Sequence, residues 1–193
     1  MVLKGGQIEL GDCIQGAFAT AAAAAGGSLE LLDYEDFSAD AADYTFTPSS
    51  ALTSADYGQF IIAIAGKTDA VNGIPTIIFS SSTTNIYYTG ETVAGNGTRT
   101  ALAGSDTGII NIGNATTIPD ANKSFTCFIT LSINTVAGYI TGFMQTGNVD
   151  NVLSETKYFE VQASNIDSIE INMTSTSKFK ADTRFVVFGL KNT

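Results

Sequence analysis

Hydrophobic and polar residues alternate along much of this chain, and the pattern is clearest near its carboxyl end. Ile169, Ile171 and Met173 are separated by single polar residues, and residues 125–134 alternate in a similar way. Successive side chains in a strand point to opposite faces, so a period of two predicts strands with one buried face. We therefore expect a chain built largely from half-buried strands.

Two segments are instead apolar at consecutive positions, which predicts strands that are covered on both faces. These segments are residues 57–65 and 184–190. In the later one, Phe185 should point one way, and Val186 and Phe188 the other. Such a strand lies inside a two-layer core, or one of its faces contacts another chain. Phe188 is therefore a candidate inter-subunit residue.

Short strands of this kind recur along residues 28–193, separated by turns rich in Gly, Asn, Ser and Thr. About ten strands at fairly even spacing predict an all-β fold, a jelly-roll-like antiparallel β-sandwich. The composition agrees, because 12 Phe and 7 Tyr favour strands and only 3 residues are Pro. A length of 193 residues suits one domain with a good core. We expect residues 28–193 to form that domain.

Residues 1–27 are predicted to form a short Ala-rich amino-terminal arm. Asp12 and Gln15 have the spacing of a capping box, and residues 17–25 after them carry no charge and mostly small side chains. A helix of this kind favours close contact with a neighbouring surface, so we interpret the arm as an attachment or inter-subunit element. The alternative is a flexible Ala/Gly linker. The candidate inter-subunit residues in the arm are Ala17, Ala21 and Ala24.

The charge of the chain argues against nucleic acid as a partner. Nine Lys and Arg against nineteen Asp and Glu give a net charge of -10, which repels phosphate backbones and anionic headgroups. No apolar run approaches the roughly 20 residues of a membrane span, so membrane insertion is not expected. The run of small residues at 17–25 superficially resembles part of a cleavable signal, but Glu9 and Asp12 interrupt the segment. We therefore expect synthesis in the cytoplasm without export.

The absence of histidine from the sequence removes two classes of enzyme. Without it, the chain has no Ser/His/Asp or Cys/His nucleophile pair and none of the usual zinc-binding sets. Cys13 and Cys127 match no metal-binding spacing. A disulfide between them is one possibility, but Cys127 occupies an inward strand position where a small apolar thiol packs well, and we favour that interpretation. No cofactor is predicted.

Carboxylates supply the remaining candidate chemistry. The acid-rich residues 33–43 lack the glycine and the closing Glu of a calcium loop, so a solvated acidic loop is predicted and no metal site. Glycoside hydrolysis needs only two acids at a suitable separation. The candidates for such a pair lie at positions typical of ordinary solvated acids, so we expect no enzyme. They are Asp150, Glu155, Glu160 and Glu170.

Tyr87 and Tyr88 are the candidate ligand-binding residues. Exposed aromatic rings can stack on a sugar ring while the hydroxyl stays in water. Because side chains alternate along a strand, one of the two is expected to be buried.

The order of these features resembles that of small virion proteins of tailed bacteriophages. Residues 29–32, 43–47 and 56–64 are similar to the opening pattern of that group. Residues 166–171 and 179–191 are similar to its closing pattern, in which a strand ends on an aromatic-Gly-hydrophobic triplet. The resemblance covers about residues 29–191 and rests on patterns of strands. It implies a fibre, spike or capsid-decorating component with a β-sandwich domain.

We therefore expect a virion structural protein, either a tail fibre or adhesin or a capsid-decoration component, that acts by assembly and surface binding. Its expected partners are further copies of the chain, with a trimer favoured, other virion proteins and a glycan of the host surface. Its expected location is the virion, after synthesis in the host cytoplasm. The alternatives are a lectin-like carbohydrate-binding module outside any virus and, third, a carboxylate glycoside hydrolase.

Overall fold

The computed structural model describes residues 28–69, 74–79, 85–94, 97–107, 110–112, 124–134, 136–148, 153–174 and 176–192. In these ranges the secondary structure is entirely β, which confirms the fold class predicted from the sequence. The arm at residues 1–27 lies outside them, so its helix and the roles of Ala17, Ala21 and Ala24 stay predictions. The strands are β1 (Ser28–Asp36), β2 (Asp43–Phe46), β3 (Tyr57–Lys67), β4 (Pro75–Phe79), β5 (Asn85–Val93), β6 (Arg99–Thr107), β7 (Ile110–Asn111), β8 (Ser124–Asn134), β9 (Tyr139–Asn148), β10 (Leu153–Val161), β11 (Ile169–Met173) and β12 (Arg184–Lys191).

The strands form two sheets with antiparallel pairing throughout. The large sheet has the order β1-β12-β3-β8-β9-β10-β5-β6, and the small sheet has the order β2-β11-β4-β7. The chain crosses repeatedly between the two sheets, which is compatible with a jelly roll. The predicted antiparallel sandwich is thus confirmed.

The core lies between the two sheets and draws on both. Ile62 and Val187 of the large sheet and Ile77 and Ile171 of the small sheet are fully buried in one continuous cluster. Phe185 of β12 lies at the aromatic centre of this cluster. Its ring stacks on Tyr44 with centroids 4.5 Å apart and meets the ring of Phe179 edge-on at 5.2 Å and that of Phe37 at 5.3 Å. These contacts tie β12 to the loop that precedes β2 and to β2 itself.

The two faces of β12 are covered differently, as the consecutive apolar residues predict. Phe185 and Val187 point into the main core. Val186 and Phe188 point to the opposite side of the large sheet, which we call the outer face, and pack there against Ile61 of β3. Phe188 pairs with Leu31 of β1 and with Ile61 in the strand register, so all three side chains lie on this outer face.

Strands β5 and β6 in the middle of the chain are longer than the sequence suggests. Short strands with long surface loops are expected there, but β5 and β6 form a nine-residue ladder at the edge of the large sheet. Residues 148–155 are predicted as a loop, whereas β9 extends to Asn148 and β10 begins at Leu153. Backbone pairing holds these strands, and the Gly, Ser, Thr and charged residues in them interrupt the hydrophobic pattern that would predict their full length.

Candidate functional site

The three predicted carboxylate candidates that the structure describes do not pair with one another. Glu155 and Glu160 lie five residues apart on β10, so they point to opposite faces of the large sheet. Glu170 lies on β11 of the small sheet, between the buried Ile169 and Ile171, and therefore faces away from the core. Asp150 lies outside the described residues. The three described acids thus point in three different directions, and their arrangement gives no support to a two-carboxylate hydrolase.

Glu155 is buried, and the expectation that it is a solvated acid is wrong. Its carboxylate lies 2.6 Å from the ammonium of Lys157, and the side chains of the two residues are 1% and 7% exposed. The hydroxyl of Thr92 donates a hydrogen bond to Glu155 at 3.3 Å. Lys157 donates another, at 2.9 Å, to the backbone carbonyl of Asn111 on β7, which connects the two sheets. The pair is thus part of the interior and not a surface site.

Of the two tyrosines predicted to bind ligand, Tyr88 takes the inward position and is partly buried. It points to the inner side of the large sheet, where its ring packs over Gly104 of the neighbouring strand. A Cβ at Gly104 would lie 2.6 Å from the Tyr88 hydroxyl, so only glycine leaves room for this ring. The Lys157 ammonium lies 5.6 Å from the centre of the same ring, within the range of a cation–π contact. Tyr88 therefore has a packing role.

Tyr87 points to the outer face and is 58% exposed. Three further aromatic residues lie on the same face of the neighbouring strands, and we call the four together the aromatic surface. Tyr158 of β10 is 60% exposed, and its ring centre is 5.0 Å from that of Phe143, its partner in β9. The aromatic surface consists of Tyr87, Tyr139, Phe143 and Tyr158.

Polar groups lie between the rings of the aromatic surface. Glu160 pairs with Tyr87 on one side and with Thr141 on the other, which places its exposed carboxylate in the same row. Thr89 pairs with Tyr158 one row away. These side chains line a shallow depression of about 420 Å³. Aromatic faces next to hydroxyl and carboxylate groups suit a ligand that has both apolar faces and hydroxyls.

Exposed apolar side chains are concentrated on this same face. Among the described residues, the large hydrophobic side chains that remain exposed are Leu31, Tyr34, Tyr87, Val136, Tyr139 and Tyr158. All of them except Val136, which lies in the β8–β9 turn, point to the outer face of the large sheet, as the strand register shows. Within the described part of the chain, the outer face is therefore the surface best suited to binding.

The acid-rich residues 33–43 are held more firmly by the fold than the solvated loop predicted from the sequence. Asp33 to Asp36 belong to β1, and Asp36 forms an ion pair with Arg184 at 3.0 Å. Asp40 accepts a hydrogen bond from Lys180 at 2.7 Å, and this bond lowers the pKa of the Asp40 carboxyl. Among the described residues, no group of three or more His, Cys, Asp or Glu is placed to hold a metal ion.

Cys127 lies on the inner side of β8 and is 2% exposed. It is a free thiol in the described structure, and Cys13, its partner in the alternative of a disulfide, lies outside the described residues. Burial raises the pKa of the thiol to about 12, and Thr146 donates a hydrogen bond to the sulfur at 3.5 Å. A thiol that is protonated and buried in this way is not a nucleophile at neutral pH.

No protein-family model matches this sequence, and no curated protein is significantly similar to it. Two solved structures illustrate the likenesses found by shape. The alginate lyase of Aplysia kurodai is 12% identical over 84% of this chain and 82% of its own, with a TM-score of 0.29. The carbohydrate-binding domain CBM40 of the Ruminococcus gnavus sialidase is 8% identical over 82% of this chain and 92% of its own, with a TM-score of 0.26. Likenesses this distant carry no argument about function.

The described part of the chain contains no helix that is long and apolar enough to cross a membrane.

Proposed function

We propose that this chain is a structural protein of a virion, of the tail-fibre, adhesin or capsid-decoration type, which acts by assembly and surface binding and not by catalysis. The observation that supports this best is the concentration of exposed apolar side chains on the outer face of the large sheet. Soluble proteins rarely leave such groups together on one face unless that face binds something. The proposed partners are copies of the chain, as a trimer, other virion proteins and a host-surface glycan.

The exposed residues of the outer face have the rigidity and the composition of a contact surface. Its exposed residues lie on strands of one hydrogen-bonded sheet, so they are held in place before a partner arrives, which lowers the entropy cost of binding. Four of the exposed side chains are tyrosines, namely Tyr34, Tyr87, Tyr139 and Tyr158. Tyrosine is enriched at protein interfaces because it offers a large apolar ring and a hydroxyl that can still meet water.

Self-association tests this proposal. Replacing Leu31 and Tyr34 by Glu is expected to dissociate the oligomer, because two carboxylates would be forced into an apolar contact. The control adds the same charge on the outward side of the small sheet by replacing the exposed Thr45 and Thr47 by Glu. Sedimentation velocity and light scattering compare the three proteins. A full-length chain that is a monomer, or a Leu31→Glu/Tyr34→Glu variant that assembles like the control, contradicts the proposal.

Carbohydrate binding is a second candidate function, favoured by the aromatic surface. One face of a pyranose ring carries mainly C–H groups, which pack on an exposed aromatic ring such as that of Tyr158. The sugar hydroxyls could then donate to Glu160 and accept from Thr141, which border the same depression. This function would serve a virion adhesin and a lectin-like module equally well.

Truncating Tyr158 or Tyr87 to Ala is expected to weaken glycan binding, because each ring would lose its contact with a sugar face. Central aromatic contacts of this kind are worth about 1–2 kcal/mol, or about 5- to 30-fold in Kd. A glycan array identifies the ligand, and calorimetry then compares the variants. Tyr34→Ala, on the same face at the far end of the sheet, is the matched control. Equal affinity for all three variants would exclude the aromatic surface as the site.

A further inference from the structure

The carboxylate of Glu160 lies next to two exposed aromatic rings of the aromatic surface. Glu160 is the register partner of Tyr87 on the neighbouring strand β5, and directly opposed residues have Cβ atoms about 5 Å apart. Tyr158 precedes Glu160 by two residues on β10 and points to the same face, about 7 Å along the strand. Tyr87 and Tyr158 are 58% and 60% exposed, and Glu160 is exposed as well. A ligand can therefore meet both rings and the carboxylate from one side.

The negative charge of Glu160 is not neutralised by a cation of the described chain. The charged side chains at outward positions in the described parts of β5, β6, β9 and β10 are Glu91, Glu160 and Arg99. Arg99 forms an ion pair with Glu91 at 2.9 Å. Lys157 points to the inner side of the sheet and pairs there with Glu155. Since the whole chain has a net charge of -10 as well, a ligand at the aromatic surface meets a negative potential.

Two aromatic rings and a carboxylate that face the same ligand favour an ammonium group. A cation within about 6 Å of the centre of a tyrosine ring is attracted by the negative face of the ring. The carboxylate of Glu160 accepts a charge-assisted hydrogen bond from the same cation. A neutral ligand makes the ring contacts but not the ionic one, and an anionic ligand is repelled. The aromatic surface thus distinguishes ligands by their charge.

The rest of the depression suits a sugar that carries such an ammonium group. Thr89 and Thr141 border it, and their hydroxyls can each donate and accept hydrogen bonds with sugar hydroxyls. The exposed ring of Tyr158 offers an apolar platform for the C–H face of a pyranose. A small ammonium ion alone would leave these groups unused, so the combination favours a charged saccharide.

We propose that the glycan bound by the aromatic surface carries a free amino group, and that its ammonium lies over Glu160 beside the rings of Tyr87 and Tyr158. The ligand class is an amino sugar without an N-acetyl group, and neither a neutral nor an acidic saccharide. This inference rests on the carbohydrate-binding function proposed above and deepens it by naming the charge of the ligand.

Chitosan and chitin oligosaccharides of equal length are matched probes for this inference. The chitosan probe carries free amines, whereas the chitin probe carries neutral N-acetyl groups at the same positions. Calorimetry on the full-length chain compares them at one ionic strength, in buffer that keeps the amines protonated. We expect the chitosan probe to bind about 5- to 30-fold more tightly, from one exposed cation–π contact and one exposed ion pair.

Glu160→Gln separates the local contact from the general attraction between an acidic protein and a cation. The variant is expected to abolish the preference for the chitosan probe and to leave the affinity for the chitin probe unchanged, because the amide keeps the shape of the side chain. Glu35→Gln is the matched control. It removes the same charge from an exposed position on β1, at the opposite edge of the large sheet, and should keep the full preference.

Equal affinity for the two probes overturns the inference. A preference that survives Glu160→Gln also overturns it, because the net charge of the chain would then be the cause, and so does a failure to bind either probe. A glycan array run in parallel distinguishes these results from a failure of the proposed function. Binding of a neutral or acidic glycan that is lost in Tyr158→Ala leaves carbohydrate binding intact, whereas an array without any bound glycan contradicts both.

Discussion

Replacing Phe185 by Ala is expected to lower the free energy of unfolding by about 3–5 kcal/mol. The ring is fully buried and lies between Tyr44, Phe37 and Phe179. Its removal leaves a cavity between the two sheets, and the hydrogen-bonded strands on either side prevent the surrounding rings from closing it. The loss therefore includes both the transfer free energy of the ring and the contacts of its neighbours.

The control for Phe185→Ala is Val136→Ala, a truncation of a fully exposed apolar side chain in the turn between β8 and β9. Surface truncations usually change stability by less than about 0.5 kcal/mol. Urea denaturation at matched protein concentration compares the two variants with the natural chain. A cost below about 1 kcal/mol for Phe185→Ala, when cavity formation usually costs several, would contradict the placement of this ring at the centre of the core.

Replacing Lys157 by Met is expected to lower the free energy of unfolding by about 3–5 kcal/mol, because it removes one partner of a buried ion pair. The Glu155 carboxylate would remain in the interior at 1% exposure with its main counter-charge gone. The carbonyl of Asn111 would lose its hydrogen-bond donor as well. Equilibrium denaturation of the variant measures this cost.

The double variant Glu155→Met/Lys157→Met separates charge from packing. Apolar replacement of both members of a buried pair is often nearly neutral, so the double variant is expected to recover most of the stability that Lys157→Met loses. Glu155→Met alone should lower stability by a similar amount to Lys157→Met, because it leaves the Lys157 ammonium buried without its counter-charge. A double variant as unstable as the sum of the two single variants would mean that the residues act independently.

The sequence predicts the strands that carry the core well. β3, β8 and β12 are long and either alternate cleanly or are apolar on both faces, and both patterns follow directly from burial. The two-sided covering of β12 also follows, since Val186 and Phe188 cannot share a face with Phe185. Local periodicity is sufficient here because each strand has most of its apolar side chains in the interior.

The sequence does not predict β10 as well. Glu155 and Lys157 precede Phe159 and Val161 with a period of two, so the four side chains share the inner face. Charge at the first two positions suggests a surface loop, and the ion pair that makes their burial possible cannot be seen until the strand is built. The continuing period through Phe159 and Val161 is the feature that points to the correct assignment.

The aromatic surface depends on pairing between distant segments. Tyr87 and Tyr158 lie 71 positions apart in the sequence and become neighbours only through the register of β10 with β5. Phe143 joins them through the register of β10 with β9. A local pattern identifies Tyr87 as a candidate but contains no information on which strands will lie beside it. The same holds for the contact of Ile61 with Val186 and Phe188 on the outer face, which joins two separate segments of the chain.

The central claim is that this protein works by contact through the outer face of its large sheet. Electron cryomicroscopy of particles purified from the cells that produce the chain tests the claim most directly. We predict that the chain is a repeated component of the particle, with the outer face near Leu31 and Tyr34 against a neighbouring protein and the aromatic surface at a contact or facing outward. Particles that lack the chain, or that contain it with the outer face in open solvent and every contact on the small sheet, would contradict the claim.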